Sequence, residues 1–489
     1  MQHTPEHPLT IKEGTTSTRL LLIHAPYPGH LKFDSQPSSL LFASSLVVRA
    51  LHAEGRGEEV GYLDPKGATD GFYEQLGRIA AAGELRVVCI STSTAAIEQA
   101  ARIAQLVRDV APNRVLIVGG GPHEDDCPIA MATAIPAVDI SIAGAAEHAL
   151  LPIVLAALDG DVDVVSDIDF GSLRGRGVVT GKEGQVRSWS GPRVGVTEWA
   201  LQRPWVDRKI SFPIFPGRPT LPLSVSYGCS YGQCTFCAES LVGGQTIVKD
   251  FSPLKSMIEA SPGAALYFQD SIFPATREAR KELLPILRES GLPWGCQVYL
   301  PTLSRTFIKL LADSGCTYVY TGIESGSEEL RSALGKSGLN SSLVRQRLLW
   351  VAETGMRVGL SLMFGGISNR GELLETEHSV MATVDFTQQV LRDGVNVAGF
   401  YPNVLTVLPG TALSAGLQST GNVIDFYRTP RVPEFAELED GEIGYNFASI
   451  PWMRGGNPQL VESVRDAATH VVSCKQPKKE GGSRAVGPY

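Results

Sequence analysis

The chain predicts an α/β protein with two successive parallel-sheet modules: a flavodoxin- or Rossmann-like doubly wound sheet, then a partial (β/α)6 barrel, then a small C-terminal extension. Three observations predict this. Short apolar runs ending in Gly, Ser or Pro alternate with segments of helical period through the first third. The same alternation resumes near residue 221 and repeats six times. The 489-residue chain, 43% hydrophobic and 19% charged, has an ordinary globular balance and length for two or three domains. The expected division is 1–160 for the first sheet, 161–220 for a Gly-, Pro- and Asp-rich connector, 221–413 for the barrel and 414–489 for the extension.

In the first third, Arg19 to Ala25 is an apolar run ending at Pro26-Tyr27-Pro28-Gly29. Val60 to Leu63 ends at Asp64-Pro65, and Leu85 to Ile90 ends in Ser91-Thr92-Ser93-Thr94. Arg114 to Val118 runs into Gly119-Gly120-Gly121-Pro122-His123, and Val138 to Ile142 into Ala143-Gly144. Between them the helical period is clearest from Ala95 to Val110, where Ala96, Ala100, Ile103, Val107 and Val110 share a face. Five such strands suit a flavodoxin-like order, in which ligands sit outside the carboxyl ends. The triple glycine lacks the G-x-G-x-x-G spacing of a dinucleotide fingerprint; it reads as a tight strand-to-helix turn or a ligand loop. The connector holds one hairpin, Gly177–Val179 with Val186–Ser188.

In the middle third, strands are expected at Leu223–Tyr227, Ala265–Phe268, Pro293–Tyr299, Thr317–Gly322, Arg357–Phe364 and Val395–Phe400. Helices are expected at Pro253–Ala260, Arg277–Ser290, Ser304–Ser314, Ser342–Thr354 and Leu373–Leu391. Six βα units are too few for a closed eight-fold barrel and place a site at the strands' carboxyl ends. On the fourth of these strands Tyr318, Tyr320, Gly322 and Glu324 share parity. Glu324, Tyr318 and Tyr320 are therefore candidate catalytic residues, with Glu324 gripping a cationic ligand group; the alternative is that Glu324 caps the helix starting near Ser327. In the extension, Asp425-Phe426-Tyr427, Phe435, Tyr445, Phe447 and Trp452 suggest a cap over the barrel mouth.

The net charge of −8 comes without a basic stripe, which argues against nucleic acid as a partner. No apolar run has membrane-spanning length, and Met1–Thr18 lacks a signal peptide's apolar core, so a cytoplasmic protein without membrane contact is expected. The eight cysteines then need not pair. Three of them, Cys229, Cys234 and Cys237, fall within nine residues directly after an apolar run. Three thiolates can hold three corners of a four-iron cluster and leave one iron open. Zinc, the non-redox alternative, usually takes four ligands. Cys89, Cys127, Cys296, Cys316 and Cys474 are scattered and read as buried or free thiols, with an auxiliary cluster the alternative for Cys296 and Cys316.

These features resemble the radical S-adenosylmethionine (SAM) superfamily, and within it the enzymes fused to an N-terminal cobalamin-binding domain. The likeness rests on the cysteine cluster with Phe236 before its last member, on Gly322-Ile323-Glu324-Ser325-Gly326-Ser327-Glu328-Glu329-Leu330 with Leu334-Gly335-Lys336, on Val358 to Gly366, and on Leu405 to Leu413. In the first module it rests on Gly119 to His123 and Ile142 to Glu147. Two departures stand out. The first cysteine gap holds four residues, Ser230 to Gln233, where the family commonly has three, and no Asp-x-His-x-x-Gly motif supplies a histidine below cobalt. His30 and His123 are the nearest substitutes.

The resemblance implies that Cys229, Cys234 and Cys237 hold a [4Fe–4S] cluster whose open iron chelates SAM, and that an electron from the cluster, delivered by a donor such as flavodoxin or ferredoxin, cleaves SAM to a 5′-deoxyadenosyl radical. It implies that Phe236, Glu324, Ser361 and Gln269 contact SAM, with Met363 beside Ser361; Gln269 and Asp270, ending the second strand, touch SAM or substrate or, alternatively, cap a helix. It also implies that cobalamin lies along Tyr27, Ser91, Ser93, Gly119, Gly120, Gly121, His123, Gly144 and Glu147. The implied reaction is methyl transfer to an unactivated carbon of a small-molecule or peptide natural-product intermediate. A rearrangement, epimerisation, ring contraction or sulfur exchange with the same cofactors is the alternative within this class, and a cobalamin- or iron–sulfur-binding sensor the alternative outside it.

Overall fold

The computed structural model describes residues 9–26, 38–63, 70–93, 96–121, 135–144, 146–160, 169, 171, 173, 176–180, 186–191, 205–206, 214–242, 244–274, 276–420 and 458–474. The described residues of Met1–Lys209 and Val248–Ala260 form one unit, and those of Ile210–Ile247, Ser261–Asp425 and Pro430–Tyr489 the other.

The first unit contains β1 (Thr10–Ile11), β2 (Leu20–His24), α1 (Ser38–Ala43), α2 (Ser45–Ala53), β3 (Val60–Leu63), α3 (Asp70–Ala81), β4 (Val87–Ser91), α4 (Ile97–Val110), β5 (Leu116–Gly120), β6 (Ile140–Ala143), α5 (Glu147–Asp159), β7 (Arg176–Thr180), β8 (Val186–Ser190) and β9 (Trp205–Val206). Its main sheet runs β3-β2-β4-β5-β6-β7-β8. The first five strands are parallel, in the flavodoxin order the sequence predicts. Successive residues of β2 serve opposite cores: Leu20 and Leu22 join Val48, Leu51 and Ile153 from α2 and α5, whereas Leu21 and Ile23 join Leu76, Ile103 and Val107 from α3 and α4. Both faces are covered, so the strands read as unbroken apolar runs rather than alternating ones. The connector hairpin, β7 and β8, extends this same sheet by antiparallel pairing onto β6.

The second unit carries β10 (Thr220–Leu223), β11 (Ser226–Tyr227) and β12 (Thr246–Ile247). After these comes α6 (Ser252–Glu259), which groups with the first unit. The barrel series continues with β13 (Ala265–Phe268), α7 (Arg277–Ser290), β14 (Trp294–Gln297), α8 (Arg305–Asp313), β15 (Cys316–Glu324), α9 (Glu328–Ala333), α10 (Ser341–Ala352), β16 (Arg357–Phe364), α11 (Glu377–Arg392), β17 (Val397–Val404), α12 (Ala412–Ser419) and α13 (Pro458–Ser473). The order β10-β13-β14-β15-β16-β17 is wholly parallel. Every helix from α7 to α12 starts at a Ser, Thr or Asn whose side-chain oxygen accepts a backbone N–H of the first turn: Thr276, Ser304, Ser327, Asn340, Thr376 and Thr411.

Several expectations need correction, among them the helix expected at Leu373–Leu391, which is Glu377–Arg392, and the strand expected at Val395–Phe400, which is Val397–Val404. The first barrel strand stops at Leu223 instead of spanning Leu223–Tyr227. Ser226 and Tyr227 leave the sheet to pair antiparallel with β12, because the buried Asp270 carboxylate accepts the N–H groups of Val225 and Ser226. Gly119 and Gly120 lie within β5, laddered between β4 and β6, and only Gly121 belongs to the turn. Within the expected extension, segment 458–473 is a helix packed on α11 and β17. The aromatic residues from Phe426 to Trp452 fall outside the described residues.

Candidate functional site

The β11–β12 pair forms the neck of a loop that carries Cys229, Cys234 and Cys237, all free and half-buried. Gly228 and Gly232 turn the chain at φ of 84° and 59°. The Gly232 N–H points at Cys229 Sγ, 3.5 Å away, and Cys237 N–H reaches Cys234 O at 3.3 Å. The loop is anchored from outside: Thr235 N–H and Oγ1 donate to Leu334 O at 3.2 and 3.4 Å, and Leu413 N–H donates to Thr235 O at 2.9 Å. Burial pushes the Cys234 thiol up to about 12, and that of Cys237 up to about 11, with Lys336 pulling both the other way. Metal ligation would have to deprotonate both. Among the described residues no three His, Cys, Asp or Glu side chains converge on one metal-ion position. A four-iron cubane asks for a different arrangement, one thiolate on each of three irons, and three unpaired cysteines on one anchored loop fit that demand.

Glu324 closes β15 in a left-handed conformation, φ 69°, at a register shift against β16. Backbone strain of this kind concentrates at functional positions. Its carboxylate pairs with Lys336, and the two side chains are only 8% and 11% exposed. Lys336 Nζ also lies 3.4 Å from Gly322 O. Burial works against the ammonium, but Glu324 and Cys234 more than offset it and hold Lys336 above the usual lysine range. Glu324 is not the helix cap: Ser327 caps α9. Arg331, 1% exposed, staples the connecting segment by donating to Ser325 O at 2.6 Å, Leu339 O at 2.7 Å and Ser341 Oγ at 2.8 Å. The structure thus brings Glu324 to the cysteine loop and adds Lys336, to which the sequence reading gave no role. Its only signal was its place in the Leu334-Gly335-Lys336 motif.

Tyr318 and Tyr320 lie with Tyr267, Ile214 and Phe215 in a buried cluster, joined by Tyr401. Space for these rings comes from the neighbouring strand: a Cβ on Gly359 would collide with the Tyr318 hydroxyl and sit 2.9 Å from the Tyr320 ring. Burial, and then the neighbouring phenols, raise the pKa of Tyr318; burial also raises that of Tyr320 against a hydrogen bond from Ser361. Ser361, half-buried on β16, is opposite Gly322 and Tyr401 and accepts from Asn403 Nδ2 at 3.3 Å. Gln269 holds its strand end through N–H to Leu223 O, 2.7 Å. Phe236 is half-buried between the second and third cysteines. Asp270 is fully enclosed and serves the loop neck, with Val225 N–H at 3.0 Å and Ser226 Oγ at 2.6 Å. Cys296 and Cys316 are buried neighbours on β14 and β15, and Cys89 is buried in the first sheet with its thiol pushed up to about 12.

In the first unit Ser91, Thr92, Ser93, Gly121 and Gly144 gather at the carboxyl ends of β4, β5 and β6, and Glu147 begins α5. Among the described residues, Thr92 Oγ1, Ser93 Oγ and Glu147 Oε2 are buried and find no hydrogen-bond partner. Burial pushes the Glu147 carboxyl up to about 7. Leaving such atoms unpaired costs about 1–3 kcal/mol each, which an ordered water, an ion or a polar ligand at this edge would recover. The edge is polar and built on small residues, which is compatible with a cofactor rich in amides and hydroxyls. Tyr27, His30 and His123 lie outside the described residues.

The doubly wound 2-1-3-4-5 sheet and the six-stranded parallel sheet with its three-cysteine loop are a fold that this chain shares with two solved proteins. Among solved structures, TsrM of Kitasatospora setae, a radical SAM methyltransferase with cobalamin and a [4Fe–4S] cluster bound, aligns at TM-score 0.60 with 17% identity, covering 81% of this chain and 74% of TsrM. OxsB, with aqua-cobalamin and SAM bound, aligns at TM-score 0.57 with 14% identity, covering 84% of this chain and 64% of OxsB. Among curated proteins, an uncharacterized methyltransferase of Pyrococcus horikoshii is 23% identical over 367 residues, 71% of this chain and 72% of the relative. The cytidylyl-2-hydroxyethylphosphonate methyltransferase of Streptomyces wedmorensis is 24% identical over 256 residues, 50% of this chain and 47% of that protein. No protein-family model matches the chain.

Proposed function

We propose that the chain is a cobalamin-dependent radical SAM methyltransferase that methylates an unactivated carbon of a small-molecule or peptide natural-product intermediate. The observation that carries this reading is the free cysteine trio anchored beside the buried Glu324–Lys336 pair. Cys229, Cys234 and Cys237 would hold the cluster. Glu324 would accept from SAM's amino group and Lys336 would donate to its carboxylate, two charge-assisted contacts shielded from water. When bound, the cluster supplies the electron that splits SAM, and cobalamin carries the methyl group. Phe236 and Ser361 would flank the adenosyl moiety, and Tyr320, beside Ser361 and facing Glu324, would line the chamber in which the substrate carbon is activated. Tyr318, one turn of the pleat deeper, would shape the chamber's floor. Thr92, Ser93, Gly121 and Glu147 would receive cobalamin's polar periphery. A flavodoxin or ferredoxin would deliver the electron.

Anaerobic reconstitution followed by iron, sulfide and cobalt counts tests the assignment. Iron near four per chain is expected from the cluster type. Incubation with SAM and reductant should release 5′-deoxyadenosine and S-adenosylhomocysteine. Cys234→Ala should abolish both, and SAM cleavage that survives it removes the ligand assignment. Glu324→Gln should weaken SAM binding about tenfold or more with iron retained.

A further inference from the structure

The four-residue gap between Cys229 and Cys234 is filled in a specific way. Gly232 takes the left-handed turn, and Tyr231 stacks on Tyr299, ring centroids 4.4 Å apart and planes inclined by 37°. From there its hydroxyl donates to Gly335 O at 2.5 Å. On the other side of Cys234, Thr235 donates twice to Leu334 O. The loop therefore grips two consecutive carbonyls on either side of one cysteine. Gly335 permits the approach: it sits at φ 85°, and a Cβ there would collide with Gln233 O. Gly335 C=O and Lys336 N–H belong to one peptide plane. Tyr231 holds that plane by its oxygen, and Arg331 O accepts from its N–H at 2.8 Å. Lys336 then carries the constraint to Glu324 and Gly322.

We propose that Tyr231 is a positioning residue that couples the cysteine loop to the Lys336–Glu324 pair and so sets the affinity for SAM. This rests on the cluster and SAM assignment above. The four-residue gap is then not slack. It supplies a side chain that registers the ligand-binding ion pair against the metal corner it serves.

The test is a double-mutant cycle on the full chain, reconstituted anaerobically, with SAM dissociation constants measured without reductant so that no turnover intervenes. Tyr231→Phe keeps the stack on Tyr299 and removes only the hydroxyl. Its iron and sulfide content should equal that of wild type, and its SAM dissociation constant should rise about 3- to 10-fold, the worth of one hydrogen bond. In a Lys336→Gln background the same change should have less than about a twofold effect, because the side chain through which Tyr231 acts has lost its charge. The reduced cluster's electron paramagnetic resonance spectrum gives a second reading: the SAM-induced change should need correspondingly more SAM in Tyr231→Phe. An unchanged dissociation constant with normal iron overturns the proposal. So does an equal loss in both backgrounds, or loss of iron on removing the hydroxyl. Failure of the parent reading looks different: the wild-type chain then retains no iron and binds no SAM, and the coupling falls with it.

Discussion

Asp270 shows how one side chain sets a site that it does not enter. Its carboxylate draws Val225 and Ser226 off the barrel sheet and so directs the chain into the cysteine loop. Burial pushes it up to about 7, against the hydrogen bonds from Ser226 and Val225. The folded chain thus holds a proton that the unfolded chain gives up near the ordinary aspartate value. Stability from this group is complete below pH 3.8 and drains away as pH climbs to about 7. Asp270→Asn keeps an acceptor and cannot ionise. Its stability relative to wild type should rise between pH 4 and 7, by on the order of 2–4 kcal/mol. Thermal midpoints of both proteins at pH 5, 6 and 7 check this, and a gap that stays constant refutes it. The sequence did not reveal this role. The contacts span 45 residues, and a lone Asp at a strand end looks the same whether it caps a helix or holds a distant loop.

At the scale of elements, β15 and β16 illustrate what strand parity does and does not convey. Parity put Glu324 on the side of Tyr318 and Tyr320, and the structure agrees, since a Cβ on Gly322 would run into the Glu324 carboxylate and come within 2.9 Å of Lys336 Nζ. The register shift and the left-handed backbone at Glu324 have no sequence signature. Gly359 on β16 is the space into which Tyr318 fits, so Gly359→Ala should overpack the sheet. A loss of about 1–3 kcal/mol is expected, read as a lowered melting temperature. Tyr318→Phe removes the hydroxyl that the new methyl meets first, and should restore part of that loss in the double variant. If the single and double variants melt alike, the packing account is wrong. Helix starts were far more legible, because an N-cap oxygen is a local signal: Arg277–Ser290 has the predicted bounds and sits behind Thr276.

For the whole molecule, the cysteine loop and the polar sheet edge belong to different compact units. Iron and cobalt should therefore be lost separately. Cys234→Ala should remove iron and leave cobalt near the wild-type level, whereas Ser93→Phe, which fills the carboxyl edge of β4, should cut cobalt to below about a tenth and spare iron. Metal analysis of both variants after growth with cobalamin decides this; coupled loss would contradict it. The division itself was only partly legible. The hairpin assigned to the connector joins the first sheet, because β6 offers an edge that β7 can pair with, and edge pairing depends on which strand ends up outermost rather than on the hairpin's own residues.

The sequence by itself determined the two parallel-sheet modules, the order of strands in the first, and the three cysteines, because apolar period, turn residues and thiol spacing are local quantities. Tertiary structure decided what surrounds the sulfurs: the neck held by Asp270, the Lys336 partner of Glu324, and the Tyr231 contact to a carbonyl 104 residues away. Those pairings depend on how distant segments cross at the barrel's carboxyl end, and no short stretch of chain encodes where another stretch will lie.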